Sequence, residues 1–449
     1  MKARKSASFP EPSIPQSKAN TVEDEEKLPY FVFLGGGPGF EFKTQRNAGH
    51  IAETLWMDPR GTGLSTHISQ ESFPPHLVTD QEKANYLKHF RADSIVKDCE
   101  ELRKILLGDK QNAEDRKWTI MGSSYGGFCA ITYLSFFPSG LKEVFLSGGL
   151  PPLTGHPERV YRSLIPMLKK RNQMYYEKYP LDVKRVRDIV AYLEENSVLL
   201  PTGGTLSIRR FQSIGIGLGV DGGIDRIHQL VFRMASDLQL IGKMTFKTLQ
   251  LAEESGFHID GNPLFCILHE QMYCQGYFSD TFSYRKYSIT APDTLRNGLG
   301  PAQWRKIPNS HGSTSKAYPI LKHFSSAEKL YVSSIILYAV FDDFFNEVFP
   351  EFLDDFINLR PLKGVAHLLA DDESWDALYD IEKLRKNEVK VSAVTYFNDM
   401  YVDFAIAQET ASTIKNCEQY ITNQLFHDGL YVDGKDVMKR LFQISKRVY

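Results

Sequence analysis

Gly122-Ser123-Ser124-Tyr125-Gly126 is the segment of this sequence best suited to covalent chemistry. It matches Gly-x-Ser-x-Gly and stands between two apolar runs, Trp118-Thr-Ile-Met121 and Phe128 to Phe137. A sharp strand-to-helix turn can present a serine hydroxyl as a nucleophile, and its strained backbone leaves no room for side chains at the flanking positions. The same turn aims the N–H of the next residue, Tyr125, at the oxygen that gains charge when Ser124 attacks a carbonyl. The plain alternative is a Gly-Ser turn without chemistry. A strand before it and an apolar helix after it favour the nucleophile.

Serine is a weak nucleophile without a base and an acid that orients the base. On a turn of this kind the chain order is Ser, then Asp or Glu, then His. Asp399 comes directly after the strand-like run ending Tyr396-Phe-Asn398. His427 follows the last such run, Glu418-Gln-Tyr-Ile-Thr422, within Phe426-His-Asp-Gly429. Asp403 and Asp428 are rival acids that would serve equally as capping or turn residues. A second amide for the oxyanion fits the glycine loop Gly35-Gly-Gly-Pro-Gly39, which follows the apolar run Tyr30 to Leu34.

Other motifs lead elsewhere and fall short. No Walker lysine follows the glycine loop, and Gly61-Thr-Gly63 lacks the third glycine of a dinucleotide fingerprint. His269-Glu270-Gln-Met-Tyr273 opens like a zinc-protease helix but has Tyr where the second histidine ligand is required. Cys266, His269 and Cys274 could gather around a metal, yet the cysteines show no metal-finger spacing. No metal and no cofactor is expected.

The elements that would carry these residues alternate. Short apolar runs at Tyr30–Leu34, Ile51–Met57, Trp118–Met121, Val144–Leu146, Val389–Tyr396 and Glu418–Thr422 read as strands. Helical spacing over Ser94–Leu107 and the buried run Phe128–Phe137 lies between them. That order predicts an α/β protein with a mostly parallel sheet and helices on both faces. Residues 1–28, rich in Ser, Pro, Lys and Glu, predict a mobile tail, and 29–150 a first part of the core. From 151 to 387 the spacing turns helical, with charged faces over Leu168–Lys178, Val183–Glu195 and Leu238–Glu254. This stretch is expected to be an α-helical cap inserted in the core, which resumes over 388–449.

Composition sets the outer bounds. The 449 residues carry 53 Lys and Arg against 55 Asp and Glu, a net charge of −2, which argues against nucleic acid or an anionic membrane surface as partner. A 42% hydrophobic and 24% charged chain is an ordinary globular one. Five cysteines without a framework spacing suit a reducing compartment. The basic start is followed by no apolar segment, and no run approaches the ~20 residues of a membrane span. A cytoplasmic protein is the expectation, and its oligomeric state is not readable.

Taken together and in order, six motifs and a C-terminal histidine make a more specific pattern. They are Gly36-Gly-Pro-Gly39, Asp58-Pro-Arg-Gly-Thr-Gly-Leu-Ser65, Phe90-Arg-Ala-Asp-Ser-Ile95, Gly122-Ser-Ser-Tyr-Gly-Gly127, His269-Glu270-x-x-Tyr273, and Asn398-Asp-Met-Tyr-Val-Asp403 with His427-Asp-Gly-Leu430. From about Leu28 to the C-terminus the chain resembles the proline iminopeptidases (prolyl aminopeptidases) of the α/β-hydrolase superfamily, in their large-cap form. The resemblance implies an α/β-hydrolase fold with an inserted helical cap. It implies a serine aminopeptidase that releases N-terminal proline, and other small residues, through an acyl-enzyme. Its partner would be a peptide with a free N-terminal proline. The nucleophile falls on Ser124, the acid on Asp399 and the base on His427, with oxyanion amides at Gly37 and Tyr125. Cap carboxylates of the family hold the substrate's amine, and Glu270 matches the first of them.

Three departures accompany the resemblance. Asn346 stands at the second amine-binding position, with Glu347 one residue later, so the charge is either shifted or lost. Gly35 replaces the family's His or Gln before Gly-Gly-Pro-Gly. A short polar tail stands where the family has antiparallel opening strands, so those strands are expected to be missing. Two other readings therefore stay open. One is an esterase or amidase of the same fold acting on small uncharged substrates. The other is a catalytically impaired α/β-hydrolase-like binding protein.

Overall fold

The computed structural model describes residues 3–5, 30–42, 53–154, 157–255, 259–276 and 352–446. Its centre is a sheet in the order β1-β3-β2-β4-β5-β6-β7. The strands are β1 Ala3–Lys5, β2 Tyr30–Leu34, β3 Glu53–Met57, β4 Trp118–Ser123, β5 Leu141–Ser147, β6 Lys390–Tyr396 and β7 Cys417–Thr422. All neighbours from β3 to β7 pair in parallel, whereas β1 runs antiparallel to β3. The chain is thus an α/β-hydrolase fold.

The inner strands, β2 and β4 above all, are mostly apolar because both their faces are covered, whereas the edge strand β7, Cys417-Glu-Gln-Tyr-Ile-Thr422, is largely half-exposed. Val32, Leu34, Leu55, Ile120, Val144 and Leu146 belong to one core, packed with the helices Ala92–Leu107 and Tyr125–Phe136. Their alternates Phe31, Phe33, Trp56, Met121, Phe145 and Val394 belong to another, closed by Val437, Met438 and Leu441 of the helix Gly434–Ser445. The period of two along each strand puts the two sets on opposite faces.

Between β5 and β6 the described regular elements are all helical. The largest are Pro157–Lys178, Asp182–Glu195, Gly223–Ile241 and Phe246–Glu254. The stretch Leu238–Glu254, which reads as helical throughout, is broken. Gly242 takes a left-handed φ of 75° as a C-cap, and the Thr245 side chain then accepts the Thr248 amide as a new N-cap. A further core joins the cap to the loops after β3, through residues such as Ile68, Phe90, Leu264, Phe356 and Trp375. Buried Arg91 fastens that seam. It donates to the carbonyls of Gln271, Cys274 and Asp376 at 2.8 to 2.9 Å, and lies 4.7 Å over the Trp375 ring.

One expectation fails ahead of the glycine loop. The polar tail implies no opening strand, yet Ala3–Lys5 pairs with Leu55–Met57. A ladder is made by backbone groups, so a segment of three residues is enough.

Candidate active site

Ser124 sits between β4 and the helix Tyr125–Phe136, which begins three residues earlier than the apolar run alone suggests. Its backbone is held at φ 54° and ψ −124°, a conformation that costs a non-glycine residue about 1–3 kcal/mol. Packing enforces it. A Cβ on Gly122 would fall 2.5 Å from the carbonyl oxygen of Gly126, and one on Gly126 would fall 2.0 Å from that of Leu34. Both obstacles are backbone and cannot give way. The Ser124 amide donates to Ser147 O at 2.9 Å, which ties the turn to the end of β5.

The glycine loop after β2 lies directly over this turn. A Cβ on Gly36 would meet Ser124 Cβ at 3.3 Å and its Oγ at 3.7 Å. Gly37, with φ 150°, leads into a cis Gly37–Pro38 bond. Asp58 secures the loop's far side: its buried carboxylate accepts the amides of Phe42 at 2.9 Å and Leu64 at 3.0 Å.

Asp399 and His427 come from the loops after β6 and β7. His427 Nδ1 and Asp399 Oδ2 are 2.7 Å apart. The other oxygen, Oδ1, accepts the amides of Tyr401 at 2.8 Å and Val402 at 3.0 Å, so the carboxylate is held from both sides. For the carboxylate to accept this hydrogen bond the donor must be Nδ1–H, the tautomer that would leave Nε2 without a proton. Gly148, at φ 53°, leaves space for this pair; a Cβ there would stand 3.2 Å from His427 Nδ1. The rival acids are occupied otherwise. Asp403 caps the helix Phe404–Thr413 through the Ile406 amide, and Asp428 accepts the amide of Asp221. Burial raises the carboxyls of both above the usual aspartate range.

Ser124, Tyr125, Gly36, Gly37 and His427 all line one cavity of about 1140 Å³ between the sheet and the cap. The cap wall includes Cys266, His269, Met272 and Tyr273. Glu270 is fully buried in the turn Glu270–Tyr273, but its neighbours rather than Glu270 itself form the wall. Burial pulls His269 down to about 4, so its imidazole is neutral at pH 7. Asn346 and Glu347 lie outside the described residues. Among the described residues no group of three or more His, Cys, Asp or Glu is arranged to hold a metal ion. Nor is any helix among them long and apolar enough to cross a membrane.

Comparison with known proteins decides the family. Residues 29–195 match the family model described as the alpha/beta hydrolase fold. A proline iminopeptidase of Aspergillus aculeatus is 37% identical over 430 residues, covering 94% of this chain and 86% of that one. The chain belongs to the proline iminopeptidase family. A second member, from Aeromonas sobria, is 32% identical over 429 residues, covering 94% of this chain and 88% of its own. A third, from Thermoplasma volcanium, is 29% identical over 136 residues, covering 29% of this chain and 38% of its own.

Several residues that shape this family member's site have no conspicuous motif. Gly148 and Gly149 follow β5, and a Cβ on Gly149 would stand 2.6 Å from the Ser124 carbonyl oxygen. A glycine pair directly after a strand is the one signal that could have drawn attention to them.

Proposed function

We propose that this chain is a serine aminopeptidase that releases N-terminal proline from peptides. One observation carries the reading. In a member of this family, Ser124 on a strained turn and His427, backed by Asp399 at 2.7 Å, face the same cavity. His427 Nε2 takes the Ser124 hydroxyl proton as Oγ attacks the carbonyl of the substrate's first residue. The amides of Gly37 and Tyr125 receive the oxyanion, which costs little reorganisation because the loop and helix are already in place. His427 then gives its proton to the leaving amine, and water hydrolyses the acyl-enzyme through the same base. Asp399 keeps the imidazole in the required tautomer. Glu270, with Glu347 or Asn346 as second group, is the counter-charge for the substrate's imino terminus, since a cation in a partly dry site needs an anion to offset its desolvation. Five free thiols suit a reducing compartment, which supports a cytoplasmic location.

The test is release of p-nitroaniline from prolyl-p-nitroanilide. The wild-type chain is expected to turn it over, and Ser124→Ala to lower kcat by at least about 10³-fold. Turnover by Ser124→Ala close to that of the wild type rejects the nucleophile.

The position of Glu270 behind the cavity wall favours one second reading, an esterase or amidase acting on small uncharged substrates. Glu270→Gln separates the two. Under the aminopeptidase reading it lowers kcat/KM on prolyl-p-nitroanilide by about 10-fold or more and leaves cleavage of p-nitrophenyl acetate nearly unchanged. Equal, small effects on both substrates favour the esterase.

A further inference from the structure

Residues beside the acid and the base reach up into one turn of the cap. It comprises the 3-10 segment Ile214–Gly219 and the two residues after it. Arg171, buried on the cap helix Pro157–Lys178, donates from Nε at 2.8 Å and Nη2 at 2.6 Å to the carbonyl of Leu218. The same guanidinium lies 4.2 Å over the ring of Phe426, the residue before His427. Asp428, the residue after His427, accepts the Asp221 amide at 3.1 and 3.2 Å through its two carboxylate oxygens. From the acid's loop, the Tyr401 hydroxyl donates to the carbonyl of Ile216, and its ring meets the His427 ring edge-on at 4.8 Å. Gly219 makes room for this: a Cβ there would stand 2.4 Å from Tyr401 Cζ.

We infer that this cap turn, gripped by Arg171, is what positions the His427 imidazole for Ser124. β6 and β7 end at Tyr396 and Thr422, so acid and base both stand on loops beyond the sheet. Loop side chains hold catalytic geometry only when a surrounding shell fixes them. Here that shell comes from the cap at three points, residues 401, 426 and 428. The base is therefore assembled when the cap is docked. Arg171 and Tyr401 are positioning residues, since neither performs a proton transfer. The inference rests on the proposed Ser124–His427 chemistry but not on proline as the substrate.

Arg171→Met keeps the apolar stem and removes the donors, and Gly219→Ala pushes the Tyr401 ring aside. Two readouts apply to each folded variant: the rate at which a fluorophosphonate labels Ser124, and the kinetics of prolyl-p-nitroanilide cleavage. Both variants are expected to lose about 10- to 100-fold in labelling rate and in kcat, because an error of ~1 Å in placement has that effect, while KM stays within about 2-fold. Arg171→Lys, which can still donate to Leu218 O but has no plane to stack on Phe426, should recover part of the loss. Unchanged labelling of the folded variants, or a loss confined to KM, overturns the inference; a lowered melting temperature with normal labelling is the mark of a merely structural role. Should both variants fail to fold, Tyr401→Phe removes a single hydroxyl and carries the same prediction with a loss of about 3-fold or more. Labelling also separates the two ideas. A wild-type enzyme that is labelled at Ser124 but ignores prolyl-p-nitroanilide defeats the proline reading and leaves the variants' labelling rates to decide this one.

Discussion

Asp399 shows how far a single carboxylate is constrained. One oxygen meets His427 and the other meets two amides, so both oxygens are engaged. An asparagine there fits the same space, but its NH2 group can turn toward Nδ1 and favour the tautomer that leaves Nε2 protonated. Asp399→Asn is therefore expected to lower kcat on prolyl-p-nitroanilide by about 10³- to 10⁴-fold with little change in KM, as steady-state kinetics would show. A loss below about tenfold would mean that the carboxylate does not orient the base. The sequence makes some residues of this candidate site legible and hides others for a physical reason. Ser124 is visible because its neighbours must be glycine: Gly122 and Gly126 each face a backbone carbonyl at close range. Asp399 and His427 are visible because each closely follows a strand. Arg171, Tyr401 and Gly219 carry no such mark, because their importance comes from contacts between segments far apart in the chain.

Among the elements, the sheet is the more legible in the sequence. Strands covered on both faces must be short apolar runs, and β2, β4 and β6 announce themselves that way. The cap is less so. Helical spacing runs on through Leu238–Glu254, but Gly242 and Thr245 end one helix and start the next. Capping depends on two residues' backbone angles, which a count of apolar positions does not register. The cap turn that holds Glu270 also carries a pH dependence. Burial takes His269 from 6.5 down to about 4. Between those values the unfolded chain binds a proton that the folded chain refuses, so this group lowers stability as pH falls from about 6.5 towards 4 and has no such effect above that window. Urea midpoints measured across this range should decline on acidification, and His269→Gln should make the decline shallower. An unchanged slope in the variant would mean that His269 is not buried in its neutral form.

At the scale of the whole molecule, the chemistry depends on a chain that leaves its sheet and comes back. Ser124 follows a strand that precedes the cap, whereas Asp399 and His427 stand on loops that follow strands laid down after it. The parallel register between β5 and β6 is what brings the two parts to one sheet edge. Helices of the cap then roof the cavity, and under the proposed reading the Glu270 turn is what would meet the substrate's leading end. A serine esterase needs only the first half of this arrangement; an aminopeptidase needs both, because it must recognise a free chain end. The most direct measurement is therefore kcat/KM for a prolyl amide compared with its N-acetylated counterpart. We expect the free amine to be cleaved at least about 100-fold more efficiently, since acetylation removes the charge that a buried carboxylate would meet. Equal cleavage of the two would contradict the aminopeptidase reading.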